Sequence, residues 1–249
     1  MRNFNNLVIN EWLKMSKKRS FFIPYAIIAV AMVVLAWAFK RWAEDMFGNA
    51  FEYTAMMASS NGFGHIVAML AVIFTAGLVP SEHAQGTIKF LLIRGQSRGK
   101  VLASKYVAAL LFILSMFVWL NVFGFASGAV LFGMEQPAGA WRDILIATGS
   151  SLVYSIVFMT LTFMLGVLTR SAGAAMGVGT AALMLSSLII PKSFYKYVLF
   201  PNADLSVYSH GGHPPIEGMT LPFSIAVLAV YIVLFLGASF VTFKRRDIA

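Results

Sequence analysis

The chain has 249 residues, a mean hydropathy of +0.79, 59% hydrophobic and 12% charged side chains, no cysteine and a formal net charge of +9. Charged residues are about half as frequent as the roughly 25% usual in soluble domains, which excludes a water-soluble globule, and the lack of thiols excludes disulfide frameworks, thiolate metal sites and cysteine nucleophiles. The composition therefore predicts an all-α polytopic membrane protein: about 20 apolar residues in a helix cross a hydrocarbon core of about 30 Å with every backbone group paired internally, and the apolar runs are continuous, unlike the alternation of a barrel.

Residues 1 to 19 come first. Phe4, Val8, Trp12 and Met15 recur at three- and four-residue spacing, with Asn10, Lys14 and Lys17 elsewhere on the wheel, so an amphipathic helix lying in the headgroup layer is expected. Lys14 to Arg19 would suit the basic region of a signal peptide. The apolar run that follows exceeds the roughly 7–15 residues of such signals and ends in "FKRW" rather than at small residues, so it reads as a first span, Phe21 to Phe39. Residues 40 to 64 read as an outward stretch, and the second span runs from about His65 to Val79.

A loop over residues 80 to 104 follows. Pro80 and Ser81 end the second helix, and Gly86 breaks the chain. Thr87 can cap a short helix through "IKFLLIR" that stops at Gly95, and Ser97 can cap the third span. In that short helix Ile88, Leu91 and Leu92 share one side while Lys89 and Arg94 lie off it. The remaining spans are about Lys105 to Phe132, Ile144 to Leu168, Ala172 to Ile190 and Pro222 to Phe243, six in all. Aromatics in "SFYKYVLF", within the outward stretch 191 to 221, suit either an interfacial belt or a re-entrant gate. Gly124-x-x-x-Gly128 and Gly173-x-x-x-Gly177 present small faces for close helix packing.

Basic residues orient the bundle. With both termini on one side, that side receives 14 of the 19 Lys and Arg, and the other only Lys40, Arg41, Arg142, Lys192 and Lys196. Short cytoplasmic loops collect Lys and Arg, so both termini and the 80–104 loop are expected in the cytoplasm. The high pI of about 9.9 then reflects topology. No stretch between spans is long enough for a basic nucleic-acid module.

Chemistry within the chain is hard to find. The spans hold almost no ionisable group, which disfavours ion coupling. Asn121, Tyr154 and Tyr231 read as helix-packing hydrogen-bonders. "GQSRGKV" has three residues between its glycines and Val101 after the lysine, whereas a phosphate-binding loop needs four, then Ser or Thr. "GFASGAV" around Ser127 places its glycine one position early for a serine elbow and lacks a later membrane histidine. No H-E-x-x-H helix occurs, and the glycine-rich "HGGH", His210 to His213, presets no metal geometry. No catalytic and no metal residue is assigned.

"SEHAQGTIKFLLIRGQSRGKVLASK" resembles the cytoplasmic loop of type-2 ABC exporter permeases, in which a glutamate, a Gly-Thr pair, a Leu-Leu pair, a Ser-Arg pair and a later lysine recur at this spacing. The matching positions are Glu82, Gly86, Thr87, Leu91, Leu92, Ser97, Arg98 and Lys105, with Lys89 and Arg94 as flanking charges. "NEWLKMSKKRSFFI", with Glu11, Trp12, Lys14, Lys17, Lys18 and Arg19, resembles that family's N-terminal elbow helix, and "FKRRDIA", with Arg245, Arg246 and Asp247, its C-terminus. Gly95-Gln96 departs from the pattern, since a proline is common there. Size and the missing extracellular domain most resemble the bacitracin-export and lantibiotic-immunity class.

The resemblance implies a single permease domain in the bacterial plasma membrane. It would not hydrolyse ATP itself, and ATP and magnesium would sit on two partner ATPase subunits. A second permease, identical or homologous, would complete the path. The short loop helix would be a coupling helix seated in the ATPase, with Glu82 orienting the loop through Lys or Arg pairs. Spans without buried charge suit a hydrophobic or amphipathic cargo such as a peptide antibiotic or a lipid-like molecule. Ion export within the same family, or a channel or scaffold without an ATPase, are the alternatives.

Overall fold

A computed structural model describes residues 4–84, 97–190, 192–209 and 214–245. Among them every regular element is a helix. In chain order these are α1 (Phe4–Ser16), α2 (Ile23–Trp42), α3 (Ala50–Ala58), α4 (Phe63–Ala76), α5 (Pro80–Ala84), α6 (Arg98–Phe132), α7 (Ala140–Thr169), α8 (Ala172–Leu185), α9 (Leu199–Ala203) and α10 (Leu221–Arg245), with short 3₁₀ turns between some of them. The chain is an all-helical membrane protein, with five stretches long and apolar enough to span: Arg19–Trp42, Ala50–Glu82, Arg98–Phe132, Ala140–Thr169 and Leu221–Arg245.

Two spans differ from the sequence expectation. The stretch expected over 65–79 is the C-terminal part of a longer, broken one that begins at Ala50. Polar residues hide its N-terminal part. The Asn49 side chain accepts the Glu52 N–H at 3.0 Å and donates to the Glu52 carboxylate at 3.1 Å, so a capping pair opens a helix where hydropathy shows only a dip. The stretch expected over 172–190 is helical only to Leu185, and its 14 residues advance about 21 Å, too short to cross alone. The Ser186 and Ser187 hydroxyls donate back to the carbonyls of Leu183 and Met184, satisfying the helix end, and Leu188 to Ile190 stay apolar without helix.

α7 forms the centre: 56% of its most apolar window is buried, against 11% for α10. The main core joins α2, α4 and α6, where Phe74 stacks on Phe112 at 4.1 Å and Phe21 packs against Phe112, Tyr25 and Trp12. Gly128 of α6 lies against α3, where a Cβ would stand 3.0 Å from the Ala50 Cα. The first glycine pair thus packs two helices closely, as expected. Gly177 has nothing within 4 Å of its Cβ position and Gly173 only the Ser171 hydroxyl at 4.0 Å, so among the described residues the second pair makes no close helix contact. Asn121 accepts from Thr148 across α6 and α7, and Ser127 donates to the Phe123 carbonyl. Both serve packing.

The 193–209 stretch is a chain of short helices lying on α7 and α10. Tyr195 is buried and donates to the Leu188 carbonyl at 2.6 Å, while Tyr197 and Trp42 are exposed. Tyr195 therefore leaves the aromatic belt and belongs to the packed interior. His210 to His213 lie outside the described residues.

Candidate functional site

α1 and the end of α10 both reach the start of α6. α1 packs along the start of α6, and the Arg98 guanidinium donates to the Lys244 carbonyl at 3.1 Å, tying α6 to the end of α10. α1 is thirteen residues long and buries Leu7, Val8, Glu11 and Met15. Glutamate is the surprise on that face. A carboxylate there has lost water and must be paired.

Its partner is Lys105, in the second turn of α6. The Lys105 ammonium, 3% exposed, lies 2.7 Å from Glu11 Oε2 and 2.6 Å from Glu82 Oε1. Lys14, one turn beyond Glu11 on the same face of α1, lies 2.9 Å from Glu11 Oε1 and 3.2 Å from Glu82 Oε1. Two carboxylates and two ammonium groups thus alternate around one point, and their charges sum to zero. Burial alone would raise the Glu11 carboxyl, but the Lys105 and Lys14 ammonium groups outweigh it and hold it below the usual carboxylate range. Burial would lower Lys14, and the two glutamates more than reverse this, holding it above its ordinary value.

Three elements from distant parts of the sequence are joined in this way. α5 ends at Ala84 and α6 begins at Arg98, with Ser97 accepting the Lys100 N–H as a cap, as its sequence position suggested. The intervening segment therefore leaves the joint beside Glu82 and returns beside Arg98 and Lys105. Among the described residues no group of three or more His, Asp or Glu could hold a metal ion.

The residues singled out in the sequence divide as follows. Glu11, Lys14, Glu82 and Lys105 come together. Trp12 instead packs edge-on against Phe21 at 5.4 Å. Lys17, Lys18, Arg19 and Arg245 are exposed. Gly86, Thr87, Lys89, Leu91, Leu92, Arg94, Arg246 and Asp247 lie outside the described residues, so the expected coupling helix is not described. The expectation that Glu82 pairs with lysine matches the contacts; the burial of Glu11 beneath Lys105 was not foreseen, although an acidic residue inside an apolar helical stripe was the available signal.

The family described as "Protein of unknown function (DUF2705)" matches residues 13–249, and the chain belongs to that family. Two proteins of Bacillus subtilis (strain 168) are similar over nearly their whole length. Uncharacterized protein YhcI is 27% identical, covering 98% of this chain and 99% of its own. Uncharacterized membrane protein YdbK is 22% identical, covering 95% and 99%.

Proposed function

We propose that this DUF2705 member is the membrane-spanning permease of an ATP-driven exporter of the type-2 ABC class, in the bacterial plasma membrane with both termini in the cytoplasm. The ion joint of Glu11, Lys14, Glu82 and Lys105 carries the reading. It binds an N-terminal helix and both ends of one inter-span segment into a single body, which is what an external ATPase would need in order to move the spans. The four residues are also among those through which the sequence resembles that class. In the proposed complex two ATPase subunits bind ATP and magnesium, residues 85–96 seat in the ATPase, α1 flanks the contact, and a second permease completes the path. The cargo is a hydrophobic or amphipathic molecule, a peptide antibiotic or a lipid-like compound, moved outward for resistance or self-immunity.

The test is a pull-down of the full chain from native membranes in mild detergent, with ATPase assay of what accompanies it. Recovery of an ATPase subunit that is lost when residues 86–98 are scrambled, while the membrane protein still accumulates, is the expected result. An intact chain that brings down no ATPase would sink the proposal in favour of a channel or scaffold.

A further inference from the structure

The broken span contains the second polar feature of the molecule. Between α3 and α4 the chain runs Ser59-Ser60-Asn61-Gly62. The Gly62 and Gly64 N–H groups both donate to the Ser59 carbonyl at 3.1 Å, and a Cβ on Gly62 would stand 2.2 Å from the Met56 carbonyl oxygen. Only glycine allows this turn. Tyr154, beside it, is the fifteenth residue of the thirty-residue α7, so the break lies near mid-span, where polar backbone is tolerated only against protein or a cavity.

A cavity is present. It measures about 340 Å³ and is lined by Ser60, His65, Tyr154, Ser186, Phe200 and Asp204 among others. Asp204, from the turn after α9, accepts the Ser60 hydroxyl at 2.8 Å on one oxygen and the Ser206 N–H at 2.9 Å on the other. Yet no Lys, Arg or His among the described residues lies within ion-pair distance of it.

Across the cavity one proton per hydroxyl fixes a chain of donors. Ser186 donates to the Leu183 carbonyl at 2.6 Å, so it accepts from Tyr154 at 2.7 Å. The Tyr154 hydroxyl also lies 3.3 Å from His65 Nδ1. The pocket thus offers a carboxylate, an imidazole and aromatic rings, with Ile189 and Val207 completing an apolar wall. That is the chemistry of cation recognition, and the hydrogen-bonding and aromatic groups suit N–H donors better than an alkali ion, which needs a fuller shell of oxygens.

We infer that this pocket binds a primary ammonium group carried on an apolar chain. The assignment concerns binding alone and holds whether or not an ATPase joins the complex. The volume fits the headgroup end of such an amphiphile, and Asp204 supplies its counter-charge from the cavity wall.

Saturable binding of tritiated n-decylamine to the full chain in uncharged maltoside micelles, measured by scintillation proximity, tests this. Displacement by unlabelled decylamine, with none by decyl sulfate or decanol, is expected. D204N should weaken binding about tenfold or more, the loss of one charge-assisted contact, while D45N, removing an exposed charge elsewhere, leaves it unchanged. Should D204N not fold, Y154F decides, with several-fold weakening expected. Absence of saturable binding, equal displacement by decyl sulfate, or unchanged binding in the folded variant overturns the inference. Displacement by sodium chloride at lower concentration than by ethylammonium chloride overturns it too, assigning the site to an alkali ion.

Discussion

The two polar regions of this bundle differ in how their charges balance. At the joint, Glu11 and Glu82 are matched by Lys14 and Lys105 within 3.2 Å. At the mid-span break, Asp204 has hydroxyl and amide donors but no cationic side chain among the described residues within reach. At the joint, burial makes an unpaired ion cost several kcal/mol, whereas Asp204 is only half-buried. A balanced set spends its charge on holding helices together. An unbalanced carboxylate beside a cavity has its counter-charge still to find, so the first region reads as mechanical and the second as a binding site.

Breaking the balance at the joint should have the largest effect. K105M removes the central cation and leaves the half-exposed Lys14 between two buried carboxylates. The expected loss of stability is about 3–5 kcal/mol, read by reversible unfolding in mixed micelles. The triple variant E11Q/E82Q/K105M should recover most of it, because the penalty is for an uncompensated charge and not for the missing pair. If K105M costs under about 1 kcal/mol, the joint does not hold these helices and the contrast between the regions fails.

Acid offers a gentler break. The Glu11 carboxyl is held below its ordinary value of 4.5 in the folded chain, so its unfolded form binds the proton first. Its stabilising contribution is then full above the unfolded value and is lost as pH falls through the lower folded value. Measured as the difference between the natural chain and E11Q, it should be constant through neutrality and shrink only in acid below about that value. A difference that already shrinks well above the ordinary carboxyl value, as pH falls toward neutrality, would show that Glu11 is not held ionised against Lys105.

How far these regions were legible follows from the range of the interactions. Glu11, Lys14, Glu82 and Lys105 each stood out as charges bordering apolar runs, and local spacing places Glu11 and Lys14 on one helix face. Nothing local places Lys105 on Glu11, ninety-four positions away. The break was read as a loop because Ser59 to Gly62, and Glu52 before them, lower the hydropathy; in the folded chain those polar groups turn on one another and on Asp204. Asp204 itself lies in a stretch of single-turn helices with no period for a sequence pattern to catch. The all-helical class was readable because it needs only composition and run length, whereas the span ends were set by caps and serine back-bonds.

The smallest expected effect sharpens the distinction within the joint itself. Lys14 touches the same two carboxylates as Lys105, at 2.9 and 3.2 Å, but its side chain is half exposed where that of Lys105 is 3% exposed. Water screens the outer pair and the side chain loses rotamer freedom to make it, so K14Q should cost no more than about 1 kcal/mol. Added salt should erode that small cost, while leaving the K105M penalty nearly unchanged, since a buried pair is poorly screened. Equal costs for the two lysines would mean that both carboxylates are as wet as Lys14. The joint would then be a surface network with little power to transmit force from the 85–96 segment into the spans.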